Sequence, residues 1–295
     1  MFWENDEIFL EDIERIEVIR GPGATIWGAN AVNGVINIIT KDPEENREVM
    51  FTARAGSKNY RESIIRFSGS VSKDLSLSIT AGYREDEGTR GTNDFRRVPK
   101  ATTRLKYSLS THSTLHVFAG LNEFETGVGM SKYTPLTDLR VRANYQMIRW
   151  EHDFSDTSSF HFQTFRSEYD IHGEDKSVII DEDKYEIDMH HSFLLFQKNR
   201  ITWGANYRTT EVDSAFLFPE TDHDDLVGFF LQDAVSVFDG LRLAGGIKYE
   251  KNSFTGWDWS PRVSVQYSPG QSTIFGVPFP GRTEPRRLLK TVFIC

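Results

Sequence analysis

The feature that most constrains this chain is two-residue alternation, sustained segment after segment between Phe51 and Tyr267. Successive side chains of a strand point to opposite faces, so alternation specifies strands with one apolar and one polar face. Ile65, Phe67, Gly69 and Val71 oppose Arg66, Ser68 and Ser70, and Leu75, Leu77, Ile79, Ala81 and Tyr83 oppose Ser76, Ser78, Thr80 and Gly82. Leu105, Tyr107 and Leu109 likewise oppose Arg104, Lys106 and Ser108. The scheme returns over Ile201–Tyr207, Leu241–Tyr249 and Val263–Tyr267, while the phase of the segments near 141–150, 160–169, 185–196 and 226–237 stays open. About twelve strands result.

The connections are as informative as the strands. Tight turns fall at Ser72-Lys73-Asp74, Ser110–Ser113, Ser155-Asp156-Thr157, Gln197-Lys198-Asn199 and Phe238-Asp239-Gly240. Longer polar loops are expected at roughly 84–98, 122–140, 170–183, 210–225 and 251–257. Short and long connections in alternation put all tight turns at one end of an antiparallel meander. Outer-membrane barrels are built this way. The alternative is a soluble β-rich binding or structural domain, a sandwich or propeller, which does not predict that rhythm.

Composition is consistent with a barrel and excludes other classes. No apolar run approaches the ~18 residues of a spanning helix, and barrel strands expose only alternate residues to lipid, so the hydrophobic share of 38% is sufficient. A formal charge of -9 offers no basic surface to nucleic acid. The single cysteine, Cys295, permits neither a disulfide framework nor a cysteine metal site. No signal peptide precedes Met1-Phe2-Trp3-Glu4, so either the mature protein begins elsewhere or the true N-terminus is missing.

Before the meander lies a compact unit, Ile13 to Thr40. Arg15–Arg20 reads as a short strand, Gly21-Pro22-Gly23 must turn, and Ala24–Ala31 suits a helical turn. Asn33-Gly34 is a turn signal before the strand Val35–Thr40, and Lys41–Asn46 is a polar linker. The stretch Ile13-Glu14-Arg15-Ile16-Glu17-Val18, with Arg20-Gly21-Pro22, Trp27-Gly28-Ala29-Asn30 and Asn33-Gly34-Val35-Ile36-Asn37-Ile38, resembles the C-terminal end of the plug domain of TonB-dependent outer-membrane receptors. The resemblance continues loosely to about Phe275.

That resemblance implies an all-β fold, an antiparallel transmembrane β-barrel preceded by an α+β plug, in the outer membrane of a Gram-negative cell. Residues 1–42 would be plug, 43–275 barrel, and 276–295 a non-native tail. It implies a transporter and not an enzyme, with energy-coupled uptake of a ferric siderophore, or of cobalamin, haem or a glycan. The implied partners are the TonB-ExbB-ExbD complex, outer-membrane lipid and lipopolysaccharide. Arg20 is expected to meet barrel-wall carboxylates, with Glu14, Arg15 and Glu17 supplying the other plug charges, and Gly21, Pro22, Gly28, Asn30, Asn33 and Gly34 forming the plug turns.

Other chemistry finds little support in the order of residues. Gly21, Gly23 and Gly28 lack the Lys-Ser/Thr and crossover helix of a nucleotide loop. His190 and His191 must point to opposite faces, and His116, His152 and His161 are scattered, so no metal site or cofactor is expected. Glu174-Asp175 with Asp181-Glu182-Asp183, and Asp222-His223-Asp224-Asp225, read as solvated acidic loops. Tyr83, Tyr107, Trp150, Trp203, Tyr207, Tyr249, Trp257 and Trp259 fit interfacial girdles or a ligand mouth.

Two departures from the family pattern point to a fragment. The family's barrels have about 22 strands, roughly double the number found here, and most of the plug is absent. After Phe275, three prolines and a loss of alternation make residues 276–295 a poor strand, and a frameshift at or near Phe275 is the expected cause. Such a fragment should not transport by itself.

Overall fold

The computed structural model describes residues 8–20, 34–128, 137–174, 179–214, 221–238, 240–253, 256–270, 273–276 and 291–293. A 3-10 turn, Leu10–Asp12, leads into β1 (Ile13–Arg20) and β2 (Gly34–Thr40). Then follow β3 (Glu48–Ala55), β4 (Arg61–Ser70), β5 (Leu75–Asp86), β6 (Arg96–Ser110), β7 (Ser113–Val128) and β8 (Thr137–Ser155). The meander continues with β9 (Ser158–Gly173), β10 (Ile179–Leu195), β11 (Asn199–Ser214), β12 (Thr221–Phe238), β13 (Leu241–Asn252), β14 (Gly256–Gly270) and β15 (Thr273–Gly276). A three-residue strand, β16 (Thr291–Phe293), closes the order.

Two sheets result. β1, β2 and β16 form a small one, in which Ile13↔Thr40 through Arg20↔Gly34 pair antiparallel and Thr291 lies opposite Ile39. β3 to β15 form a 13-stranded antiparallel sheet in which every neighbour in space is a neighbour in sequence. The twelve long strands are the partial barrel that alternation predicted. The described part of the plug unit is the strand pair and its 3-10 turn; the expected helical turn at Ala24–Ala31 lies outside the described residues.

Side-chain placement in the large sheet is inverted relative to a water-soluble protein. Ile65 and Phe67 are exposed while Arg66 between them is 0% exposed. Ile79 is exposed while Ser78 and Thr80 are buried, and Ile148 is exposed while Arg149 is buried. Across the open-phase segments the register settles the faces: Tyr185, Ile187, Tyr207, Phe229 and Leu231 share the exposed apolar face. Such a surface is unfavourable in water and favourable in hydrocarbon. The aromatic residues expected in girdles lie on it, with Tyr249 and Trp257 stacked at 4.5 Å between ring centroids.

The long loops are shorter than expected. β8, β12 and β10 run for 19, 18 and 17 residues, against the ~9–11 that cross a membrane. Ladder pairs Thr126↔Leu139, Asp181↔Asp170 and Val212↔Asp222 lie within segments read from sequence as loops. Beyond the bilayer both faces meet water, so side-chain alternation fades while backbone pairing continues. The two acidic stretches therefore lie largely on strands β10 and β12.

An Ile79→Arg substitution, in the middle of the apolar face, is expected to lower stability by about 2–4 kcal/mol in lipid vesicles. Urea unfolding followed by the heat-modifiable gel shift measures it. An unchanged midpoint would mean that this face does not meet lipid.

Candidate functional site

Among the described residues, the small unit meets the large sheet around the 3-10 turn and the start of the linker, from Ile8 to Asp12 and from Lys41 to Glu44. The Asp12 N–H donates to the Phe9 carbonyl (3.0 Å), which closes the 3-10 turn, and the Lys41 N–H donates to the Asp12 carbonyl (2.9 Å). These bonds set Asp12 at the junction of β1 and β2, with its carboxylate aimed at the sheet. There Thr80 Oγ1 donates to Oδ1 and Thr102 Oγ1 to Oδ2, both at 2.7 Å. Arg66 Nε donates to Oδ1 at 3.0 Å, and Arg104 Nη2 lies 3.7 Å from Oδ2. Strands β4, β5 and β6 each contribute to this one carboxylate.

Asp12, Arg66, Thr80 and Arg104 are buried. Burying a charge costs several kcal/mol unless it is paired and hydrogen-bonded. Here the charges balance, because Glu48 of β3 also pairs with Arg66, giving two carboxylates to two guanidinium groups. Arg104 Nη1 further donates to the carbonyls of Asp12 (3.4 Å) and Lys41 (3.3 Å).

Contacts on both sides widen the joint. Phe9, 1% exposed, lies beneath Lys100, whose ammonium sits 4.5 Å from the ring centroid. A Cβ on Gly82 would meet the Phe9 ring at 2.9 Å, so the missing side chain makes room for it. Glu11 pairs with Arg54 of β3 at 2.8 Å. Downstream, Lys106 binds Asp42 (3.2 Å) and Glu44 (2.6 Å), which fastens the linker to β6.

The residues expected at this joint are placed as follows. Arg15 bridges Glu14 (3.1 Å) and Glu17 (2.8 Å), and Glu17 accepts from Asn37 Nδ2 (3.2 Å), all contacts inside the strand pair. The backbone of Arg20 pairs with Gly34, which opens β2; the Arg20 side chain lies outside the described part, as do Gly21, Pro22, Gly28, Asn30 and Asn33. Sequence reasoning did not single out Asp12, because residues 1–12 show no period. The signal available was the polar face of β4 to β6, where Arg66 and Arg104 stand among Ser and Thr and require a buried anion.

Elsewhere among the described residues, the connection between β5 and β6 is ordered by its own polar groups. Asp94 accepts from Thr92 Oγ1 (2.7 Å) and from the Thr89 N–H (2.6 Å). The Thr92 hydroxyl bond, with the Thr89 amide, holds the Asp94 carboxyl below the usual carboxylate range. Gly88 takes φ +64° beside Asp94, a conformation that favours glycine.

Comparison with known proteins agrees with this architecture. Residues 54–276 match the family described as TonB dependent receptor-like, beta-barrel, and residues 2–35 match the TonB-dependent Receptor Plug Domain. The chain belongs to the TonB-dependent receptor family. Its members are outer-membrane receptors and transporters, not enzymes. It is 32% identical over 165 residues to the iron-regulated outer membrane virulence protein of Vibrio cholerae, covering 50% of this chain and 25% of that protein. It is 22% identical over 300 residues to the vitamin B12 transporter BtuB of Vibrio vulnificus, covering 90% of this chain and 47% of the transporter. The siderophore receptor PirA of Pseudomonas aeruginosa shares the fold with a TM-score of 0.74 at 19% identity, over 90% of this chain and 48% of that one. The chain thus spans half or less of the length of these three proteins.

Two outcomes follow from the geometry. Asp12→Ala strands Arg66 and Arg104 without their shared anion, and a destabilisation of about 3–5 kcal/mol is expected; Thr80→Val, which removes one donor, should cost about 1–3 kcal/mol. Denaturant unfolding in detergent, followed by hydrogen exchange of the β1–β2 amides, measures both, and equal stability of D12A and the parent chain would dismiss the anchor. Separately, Asp94 ionises more readily folded than unfolded, so its contribution is complete above an unfolded pKa of about 3.9. It should be lost as pH falls through the lower folded value, read as faster amide exchange at 87–95.

Proposed function

We propose that this chain is the plug–barrel joint and adjoining wall of a receptor for energy-coupled uptake across the outer membrane, with a ferric siderophore as cargo. The observation that carries this reading is the Asp12 anchor, a buried ionic lock holding the plug unit to strands β4, β5 and β6. A plug that must open on demand needs a fixed part and a movable part. The anchor supplies the fixed part, next to the point where the chain enters the wall.

In this reading 1–42 are plug and 43–275 are barrel, a division supported by the plug and barrel matches at 2–35 and 54–276. Residues 276–295 are proposed to be a non-native tail. The barrel match ends at residue 276, in accord with that division. Ligand would bind between outer loops and plug, and TonB-ExbB-ExbD would pull on a plug segment elsewhere in the receptor. Arg20 remains a proposed second plug–wall contact.

Iron cargo is supported by the relatives' names: an iron-regulated outer membrane virulence protein and several siderophore receptors. Cobalamin is the second reading, favoured by the match to BtuB along 90% of this chain. The test is growth of a receptor-deficient strain given a receptor that carries this chain at the length of its relatives. Growth on a ferric siderophore as sole iron source, lost when TonB is removed, is the expected result. Rescue of cobalamin-dependent growth alone would replace the iron reading, and rescue without TonB would defeat energy coupling.

A further inference from the structure

The inner face of the sheet gathers histidines that the sequence scatters. Register places His161 of β9 directly opposite His190 of β10, and opposite Glu151 of β8 on its other side. The imidazole rings of His161 and His190 stack with centroids 4.6 Å apart and planes 16° from parallel. Asp188, two residues before His190 and so on the same face, puts Oδ1 3.6 Å from His190 Nδ1. One donor atom each from His161, Asp188 and His190 lies within 4.8 Å of the other two.

Neighbouring groups complete the setting. Glu151 Oε1 lies 3.8 Å from His161 Nδ1 and is buried without a hydrogen bond among the described residues. Its other oxygen is 3.5 Å from His116 Nε2. Arg149, the cation two positions before Glu151, is bound through two guanidinium nitrogens to Gln163 Oε1, at 2.8 and 3.0 Å. By contrast His191 points to the outer face, where it packs against Phe154, Phe193 and Trp203.

We propose that His161, Asp188 and His190 form a binding site for a divalent transition-metal ion, with Glu151 positioned to orient His161 or to join as a fourth ligand. Two imidazole nitrogens and one carboxylate oxygen are a donor set suited to Zn²⁺, Fe²⁺ or Co²⁺. Tetrahedral ligands at about 2.0–2.1 Å from zinc stand about 3.3 Å apart, so binding draws the three donor atoms together and turns the near-parallel rings until both lone pairs point at one ion. All three side chains are partly exposed, so an ion can reach them from solvent. A carboxylate beside a liganding imidazole is the usual means of fixing its orientation. The site stands on its own geometry and does not depend on which cargo the receptor takes.

Co²⁺ titration of the detergent-solubilised chain tests the proposal. One saturable Co²⁺ per chain is expected, with visible d–d bands that Zn²⁺ displaces. His161→Ala with His190→Ala should weaken binding by at least ~100-fold and Asp188→Asn by roughly 10-fold, in line with the loss of ligands. His191→Ala, on the opposite face of the same strand, should bind as the parent does. Absence of a d–d band in the parent, or equal binding by the H161A/H190A chain, would overturn the site. Should the double variant not fold, X-ray absorption of the Co²⁺-loaded parent decides: two imidazoles in the coordination shell support it, and fewer than two refute it.

Discussion

A backbone that crosses lipid has no water to satisfy its N–H and C=O groups, and each unpaired group costs several kcal/mol. That requirement underlies everything else in this protein. It accounts for the continuous sheet from β3 to β15, in which each strand pairs with its sequence neighbours. It also forces the side chains into two opposed populations. Ile65, Phe67, Ile79, Leu231 and Ile247 face outward, and Arg66, Ser78, Thr80, Arg104 and Lys248 are buried on the other face.

A polar inner face changes how a second unit can be held. An apolar plug surface would find no matching surface there, so the contact is made by hydrogen bonds and charge. Asp12 concentrates this in one carboxylate that receives Thr80, Thr102 and Arg66, with Arg104 close by. Buried ion pairs gain little over an apolar replacement, yet removing one partner is costly. Such a joint is therefore weak evidence for stability, and its cost falls on any change that separates the partners. Phe9 adds an apolar contact where Gly82 has vacated space and Lys100 presents its ammonium to the ring.

The same inner face explains why chemistry collects far from the anchor. Alternation places residues two apart on one side, and antiparallel register sets strands side by side, so polar groups distant in sequence become neighbours. Arg149 with Gln163 and His161 with His190 are products of that rule. The outer extensions of β8 to β12 follow the same ladder after leaving the membrane, where water relaxes the division between faces.

The sequence by itself determined the architecture. Period-2 patterning and tight turns at one end pointed to about twelve barrel strands, because lipid imposes a local and repetitive constraint, and the Ile13–Thr40 stretch pointed to a plug unit through its resemblance to the family. It also separated His190 from His191, a consequence of pleat alone. Only the tertiary structure decided which polar residues meet. The Asp12 joint spans 54 residues to Arg66 and 90 to Thr102. The His161–His190 pair depends on register between whole strands. Loop lengths also needed the structure, since backbone pairing continues where side-chain pattern no longer reports it. Long-range register is fixed by the sum of many ladder bonds and one buried face, and no single residue or motif carries that information.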